Sequence, residues 1–267
     1  MNAEIGIIGG SGFYSLLEDV EKVNVKTIYG KTSDAISIGR LAGKKVAFLP
    51  RHGNNHTIPP HKVPYRANIE ALSKLGVSRI IATNAVGSLK PEYRPGDIVL
   101  FDQFVNMAGG RDDTFFDRDL VVHVSSAEPY CSQLRSIAAD AAGKLRIKNH
   151  RSGTVLVING PRFSSKAESK IFSSYGCDVI NMTQYPECML AREKQICYLG
   201  IGLITDYDAG LEGRSDIKAV SAADVMRIFA ENIDKAKSLI AGTVKSIPSA
   251  RSCSCHSALD GAVQTKR

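Results

Sequence analysis

Residues 196–204, ICYLGIGLI, form a nearly unbroken apolar run of strand length. Such a run reads as a strand covered on both faces, because a half-exposed strand alternates apolar with polar residues. The run ends in Thr205, Asp206, Tyr207 and Asp208. If the chain stays extended there, Asp206 and Asp208 point the same way, since strand side chains alternate with period two. Open α/β sheets place ligands at the carboxyl ends of their strands, so the two carboxylates are a candidate site. An exposed turn carrying two solvated acids is the plain alternative.

The 267 residues, 43% hydrophobic and 23% charged, suit one large soluble domain or two small ones. No apolar run approaches the roughly 18 residues of a membrane span. The amino terminus, MNAEIGIIGG, carries no basic stretch ahead of an apolar one, so no signal peptide is read and a cytoplasmic protein is expected. The formal charge of +7 suits an anionic small molecule or a nucleic acid. Lys and Arg are spread without basic blocks or aromatic interleaving, so neither nucleic acid nor membrane is expected as a partner. Four of the six cysteines, Cys131, Cys177, Cys188 and Cys197, are scattered without Cys-x-x-Cys spacing. Cys253 and Cys255, with His256, offer at most three ligands in one place, so no metal site is expected.

Taken in order, residues 4–14 read as a strand entering a glycine-rich turn. Neither a dinucleotide fingerprint nor a Walker loop is present, which leaves Ser11 and bare backbone N–H groups that suit a single phosphate. Residues 36–50 read as a hairpin around Ala42-Gly43, ending beside Arg51 and His52. Arg51 there offers a planar fork of donors to phosphate. His52, His56 and His61 have helix-face spacing, but Gly53, Pro59 and Pro60 argue against a helix, and no metal is expected. A helix over 66–76 ends at Gly76, and a strand over 78–83 runs into a small-residue turn over 83–89 containing Asn84 and Ala85. A strand over 97–101 precedes a long polar loop to about residue 116. Helices follow over 131–145, 166–175 with a serine cap, from Pro186, and 222–247 capped by Ser221. Short strands over 153–158 and 178–180 lie between, the second ending near Met182 and Thr183. The alternation implies a largely parallel sheet with helices on both faces. Donor-rich turns at four strand ends, together with the two aspartates, point to one composite site.

The motifs GIIGGSGFY, PRHGNNHTIPPHK, NAVGSL, GDIVLFDQF, HVSSAEPYC, GPRFSSKAES, DVINMT followed by Pro-Glu, and ITDYD carry a resemblance. In that order, over residues 4–247, the chain resembles the trimeric branch of the purine nucleoside phosphorylase family. The resemblance implies a single α/β domain over residues 1–247, with a mixed, partly barrel-like β-sheet flanked by helices. A Ser/Cys-rich tail follows over 248–267. Assembly as a homotrimer or a dimer of trimers is implied as well. The implied reaction is phosphorolysis of S-methyl-5′-thioadenosine, with inorganic phosphate as co-substrate and no cofactor. Methylthioinosine or purine nucleosides in general are the alternative substrates.

Carried over residue by residue, the resemblance implies a phosphate site of Ser11, Arg51, His52, Asn84, Ala85 and Thr183. Ribose would lie against Met182, and Phe163 would stack on the purine. Asp206 would be the general acid at N7 and Asp208 the acceptor for the 6-amino group. His123 of a neighbouring subunit and Val225 would close the 5′-methylthio pocket. The 6-oxopurine members of the family carry Asn where Asp206 sits and Glu where Ser164 sits, so both positions here are of the adenine type. Three positions depart from the family pattern: Asn159 for a glutamate, Ser11 for threonine, and Asn84 for a hydroxyl residue. In thermophilic archaeal members a similar Cys-x-Cys tail is disulfide-linked. The tail here is expected to be mobile unless docked.

Overall fold

The computed structural model describes residues 2–211, 217 and 220–265, the side chains of Ser11 and Tyr14 excepted. At its centre lies β5 (Arg79–Ser88), flanked in parallel by β1 (Ile5–Gly9) on one side and β11 (Cys197–Asp206) on the other. Beyond β1 the sheet continues through β4 (Lys44–Pro50), β3 (Ile36–Leu41) and β2 (Glu18–Val23). The β3–β4 hairpin turns at Ala42 and Gly43, both at positive φ. Antiparallel to β11 runs β6 (Ile98–Leu100), which pairs in turn with β8 (Asn149–His150).

Along β5 the neighbour changes. Pairing with β1 ends at Ala82, and antiparallel pairing with β10 (Val179–Asn181) begins at Gly87. Then come β9 (Thr154–Val157) and β7 (Gln103–Asn106), parallel to β10 and to each other. Residues 83–86 therefore have no strand on that side. The sheet branches there, and its parallel and antiparallel pairs make it mixed, as expected of the chain. Two expectations change. The stretch 83–89, whose Asn and Gly suggest a turn, stays extended because β11 pairs with it as far as Gly87. The polar loop after Phe101 contains β7, half-exposed at the sheet edge.

Helices cover both faces. On one side α1 (Tyr65–Lys74) packs against α4 (Gln184–Glu193), with Ile69, Leu72 and Leu190 in the core. On the other, α2 (Ser132–Lys144) packs against α5 (Ala222–Ser246) through Leu134, Ala138, Leu239 and Ile240. The remaining helix, α3 (Lys166–Ser174), starts from a full capping box between Ser165 and Glu168. No described helix is long and apolar enough to cross a membrane. The segment after α5 is docked: Cys253, Cys255 and Ala262 are buried, and Val263 bridges to Val122.

Strand β11 shows why the run contains glycines. Cys197, Leu199, Ile201 and Leu203 face the α2–α5 layer, whereas Gly200 and Gly202 lie under β6 and Phe101. A Cβ on Gly200 would stand 2.4 Å from the Phe101 ring and 2.6 Å from the Gln184 amide oxygen. Gly200→Ala is therefore expected to lose about 1–3 kcal/mol by overpacking. Gly143→Ala, in a helix with nothing within 4 Å, should gain about 0.5–1 kcal/mol. Denaturant unfolding of the two variants checks the contrast.

Candidate active site

A cavity of about 500 Å³ opens at the split in the sheet. Its floor is the unpaired side of β5, Thr83 to Val86, and its other walls come from the ends of β1, β4, β10 and β11. Helix α5 forms the roof through Val225, Met226, Phe229, Ala230 and Ile233, residues that share one face at helical spacing.

One end is polar. Arg51, buried directly after β4, turns its Nε and Nη2 to the two carboxylate oxygens of Glu187, each at 2.7 Å. Its Nη1 donates to the Thr83 carbonyl at 2.9 Å, on the side of β5 that β1 no longer covers. Tyr198 Oη also donates to Glu187, at 2.7 Å. The fork that suggested a phosphate clamp is thus closed on Glu187. One N–H on each terminal nitrogen of Arg51 remains. Burial works against the Arg51 charge, but Glu187 outweighs it and raises the pKa. Beside it, burial and the Arg51 charge lower His52 to about 4, so the imidazole is neutral at pH 7. His52 Nδ1 lies 2.8 Å from the Ile58 carbonyl, which makes it the protonated nitrogen and leaves Nε2 as an acceptor.

Next to these, Thr183 Oγ1 donates to Asn84 Oδ1 at 2.9 Å, and the Thr183 N–H donates to Asn181 Oδ1 at 3.2 Å. Asn84 Oδ1 also accepts from Asn181 Nδ2 at 3.4 Å. This network fixes the Asn84 amide with its oxygen engaged, so a nitrogen donor is what it can offer a ligand. The buried Thr83 hydroxyl has no aligned partner among the described residues and lines the same end.

The other end combines apolar walls with two acids. Met182, Ile158, Ile180 and Val86 form the walls, and Phe163, 38% exposed, stands at the mouth. The two acids do not converge by strand alternation. A bulge shifts the register between Ile204 and Asp206, and Asp208 lies past the strand at φ +45°. Their link is direct: the Asp208 N–H donates to Asp206 Oδ1 at 2.7 Å, while Thr205 Oγ1 donates to Asp206 Oδ2 at 2.7 Å. Gly87 makes room, since a Cβ there would stand 2.8 Å from Asp206 Oδ1. Burial raises the Asp206 pKa to about 6, against those two hydrogen bonds and with the help of the nearby Asp208 charge. Burial also raises Asp208, opposed by the hydroxyls of Ser169 and Ser164. Asp208 Oδ2 is buried with no aligned partner among the described residues, an open acceptor on a residue that lines the cavity.

Arg51, His52, Asn84, Ala85, Phe163, Met182, Thr183, Asp206, Asp208 and Val225 all line this one cavity. Ser164 lies behind Asp208 and not on the wall, with its Oγ lacking an aligned partner. The Ser11 side chain falls outside the described residues. His123 does not line the cavity in the single chain; it is exposed, and its N–H donates to the Ala262 carbonyl at 2.9 Å. Asn159 accepts from the Gly109 N–H at 3.2 Å and from Arg111 at 3.1 Å, anchoring the 107–111 loop. Glu187, Asn181 and Thr83 lie within stretches singled out in the sequence but carry no site role there. The apolar face of α5 was readable there, although only Val225 was taken from it.

The sequence matches the phosphorylase superfamily over residues 4–245. It is 50% identical to an S-methyl-5′-thioadenosine phosphorylase of Thermofilum pendens, over 97% of this chain and 98% of that protein. A Pyrococcus furiosus protein of the same name is 49% identical over 94% of this chain and 96% of its own length. Among solved structures, a methylthioadenosine phosphorylase from an antarctic soil metagenomic library superposes with a TM-score of 0.92 at 40% identity, covering 99% of this chain and 93% of that one.

Arg51→Ala is expected to cost about 3–5 kcal/mol of stability, because it leaves Glu187 buried without its counter-charge. Pairing Arg51→Met with Glu187→Gln should restore much of that loss and leave anion binding at the polar end abolished. Chemical denaturation of both variants, with and without inorganic phosphate, separates the two effects. An Arg51→Ala protein as stable as the parent would contradict the assigned pairing.

Proposed function

The chain belongs to the phosphorylase superfamily, and from that membership we propose that its cavity carries out phosphorolysis of S-methyl-5′-thioadenosine, giving adenine and 5-methylthioribose 1-phosphate. The observation that carries the reading is one cavity with a polar, arginine-anchored end and, opposite it, a carboxyl held near the pH at which it can deliver a proton.

Phosphate meets the two remaining Arg51 N–H groups, the Asn84 amide and the Thr83 hydroxyl, with Ser11, Ala85 and Thr183 completing the cradle. Neutral His52 accepts the phosphate O–H at Nε2. A phosphate oxygen forms a bond to C1′ of the ribose as the bond from C1′ to the purine breaks, and the electron pair leaves with the base. Positive charge gathers on a ribose lying against Met182, so bound phosphate is both nucleophile and counter-charge. Asp206 gives its proton to N7 of the leaving purine. At pH 7 a carboxyl with a pKa of about 6 is protonated about a tenth of the time, and a bound base that excludes water raises that fraction. The open Oδ2 of Asp208 accepts a hydrogen bond from the 6-amino group, where a 6-oxo group would offer only lone pairs. Phe163 stacks on the base.

At the 5′ end Val225 and Met226 leave an apolar wall, with Met226 65% exposed in the single chain. His123 from a neighbouring copy covers that wall in a homotrimer or dimer of trimers. An active monomer at high dilution would remove this part of the reading.

Adenine release from methylthioadenosine, measured with and without phosphate, tests the function; a rate independent of phosphate would point to hydrolysis by water. Asp206→Asn should lower that rate by about 10²–10⁴-fold, the usual range for a general acid. It should also raise the relative preference for methylthioinosine, because an amide can donate to a 6-oxo group. Because the acid form is the active one, kcat/KM of the parent should fall as pH rises through about 6, and the variant should lose that limb. Parent-like rates and pH dependence in the variant would exclude Asp206 as the acid.

A further inference from the structure

Behind the ribose wall, outside the cavity itself, lies a half-buried guanidinium. Arg111, in the loop after β7, donates from Nη1 to the Tyr185 carbonyl. Its Nη2 donates to the carbonyls of Met182 at 2.9 Å, Asn159 at 3.1 Å and Ile158 at 3.3 Å. The group also lies over the Tyr65 ring, 5.4 Å from the centroid. No carboxylate among the described residues pairs with it, and burial lowers its pKa. A cation removed from water ordinarily takes an anionic partner. This one takes four backbone carbonyls.

Those carbonyls belong to the chain ends that make the wall. The ladder between β9 and β10 stops at Val157 and Asn181, and the Ile158 N–H donates to the Asn181 carbonyl at 3.0 Å just past it. The next carbonyls, of Ile158, Asn159 and Met182, are the ones that Arg111 Nη2 gathers. Met182 then rests on bare backbone. A Cβ on Gly160, at φ +63°, would stand 2.4 Å from Met182 Sδ and 3.4 Å from Pro60 Cγ. Pro60, another cavity residue, is held from the same direction, because Tyr65 Oη donates to its carbonyl at 2.9 Å. The turn that starts at Asn159 and Gly160 leads directly to Phe163 at the cavity mouth.

On the reading of the cavity as a nucleoside site, we propose that Arg111 is a positioning residue for the nucleoside: it fixes Met182 and the turn to Phe163 relative to one another. Ribose and base are held between those two side chains, and the attack on C1′ requires them in line with phosphate. The phosphate end has its own fixings. Thr183 is held by Asn84 and Asn181, and Arg51 by Glu187, so loosening Arg111 leaves that end in place. The planar fork matters because its donors spread over acceptors from separate segments, whereas an ammonium gathers its donors at one point. The same loop is tied from outside by Arg66, which pairs with Asp112 and Asp117 and bonds to no cavity residue. The two arginines therefore separate anchoring of the loop from positioning of the wall.

Initial rates of adenine release from methylthioadenosine by the full chain, with nucleoside and phosphate varied in turn, test the assignment. Arg111→Lys should lower kcat/KM for the nucleoside by about 10–100-fold, the cost of a misplaced substrate, with KM for phosphate unchanged. Arg66→Ala should keep both at the parent values. Arg111→Ala should regain nucleoside turnover with guanidinium chloride added well below unfolding concentrations, and not with ammonium chloride. Thermal melting of each variant ensures that folded protein is compared. Parent-like nucleoside kinetics in Arg111→Lys, or an equal loss toward both substrates, overturns the proposal. The same split in Arg66→Ala overturns it too. A parent without phosphate-dependent adenine release removes the reading of the cavity and the proposal with it, a failure visible before any variant is compared.

Discussion

The exchange of neighbours along β5 is the constraint from which the site follows. A strand paired on both sides over its whole length would leave no backbone group free to face a ligand. Here β1 stops at Ala82 and β10 starts at Gly87, and the four residues between them become a floor. The opening is stable because its loose groups are taken up. Arg51 reaches the Thr83 carbonyl, and Asn84 is locked by Thr183 and Asn181. The motifs at the ends of β1, β4, β10 and β11 gain their meaning from that gap, since all four strands end at its rim.

The polar end is arranged for an anion without being a bare patch of positive charge. Glu187 offsets Arg51, and His52 is neutral because burial and the Arg51 charge both oppose its protonation. In the proposed reaction such a site would hold phosphate by fixed hydrogen bonds, which select shape and protonation state. It would not simply collect any anion attracted by the overall charge of +7. The Glu187 partnership also explains how a guanidinium can stay buried, since an unpaired one would be very costly.

Much of this could be read from residue order, and what could not be read shares one physical cause. The Ser165–Glu168 capping box, the Ala42-Gly43 turn, the buried run of β11 and the apolar face of α5 are local signals, and local signals survive into the structure. Glu187 stands 136 residues from Arg51, and nothing near either residue records the other. Residues 83–89 have turn chemistry, yet a partner strand more than a hundred positions away keeps them extended. Cys131, Cys197, Cys253 and Cys255 are likewise invisible as a set until α2, β11 and the final segment are brought together. His123 is a different case, because the family resemblance assigns it to the cavity of another copy, and the order of residues in one chain carries no record of such a pairing.

Asp206 shows how the site and the fold limit one another. A carboxyl whose folded pKa of about 6 exceeds its ordinary 3.8 is ionised against the preference of the folded state. Its stability cost therefore appears as pH rises between those values and is complete above the higher one. Burial alone would push the pKa further up and keep the group protonated for more of the time, at a greater cost. The Thr205 hydroxyl and the Asp208 N–H pull the other way by holding the charged form. Gly87 is what lets the carboxylate sit close enough to β5 for both effects to act at once. The value near neutrality is thus a compromise between desolvation, which makes the proton available, and two hydrogen bonds, which keep the ionised enzyme folded after the proton has gone.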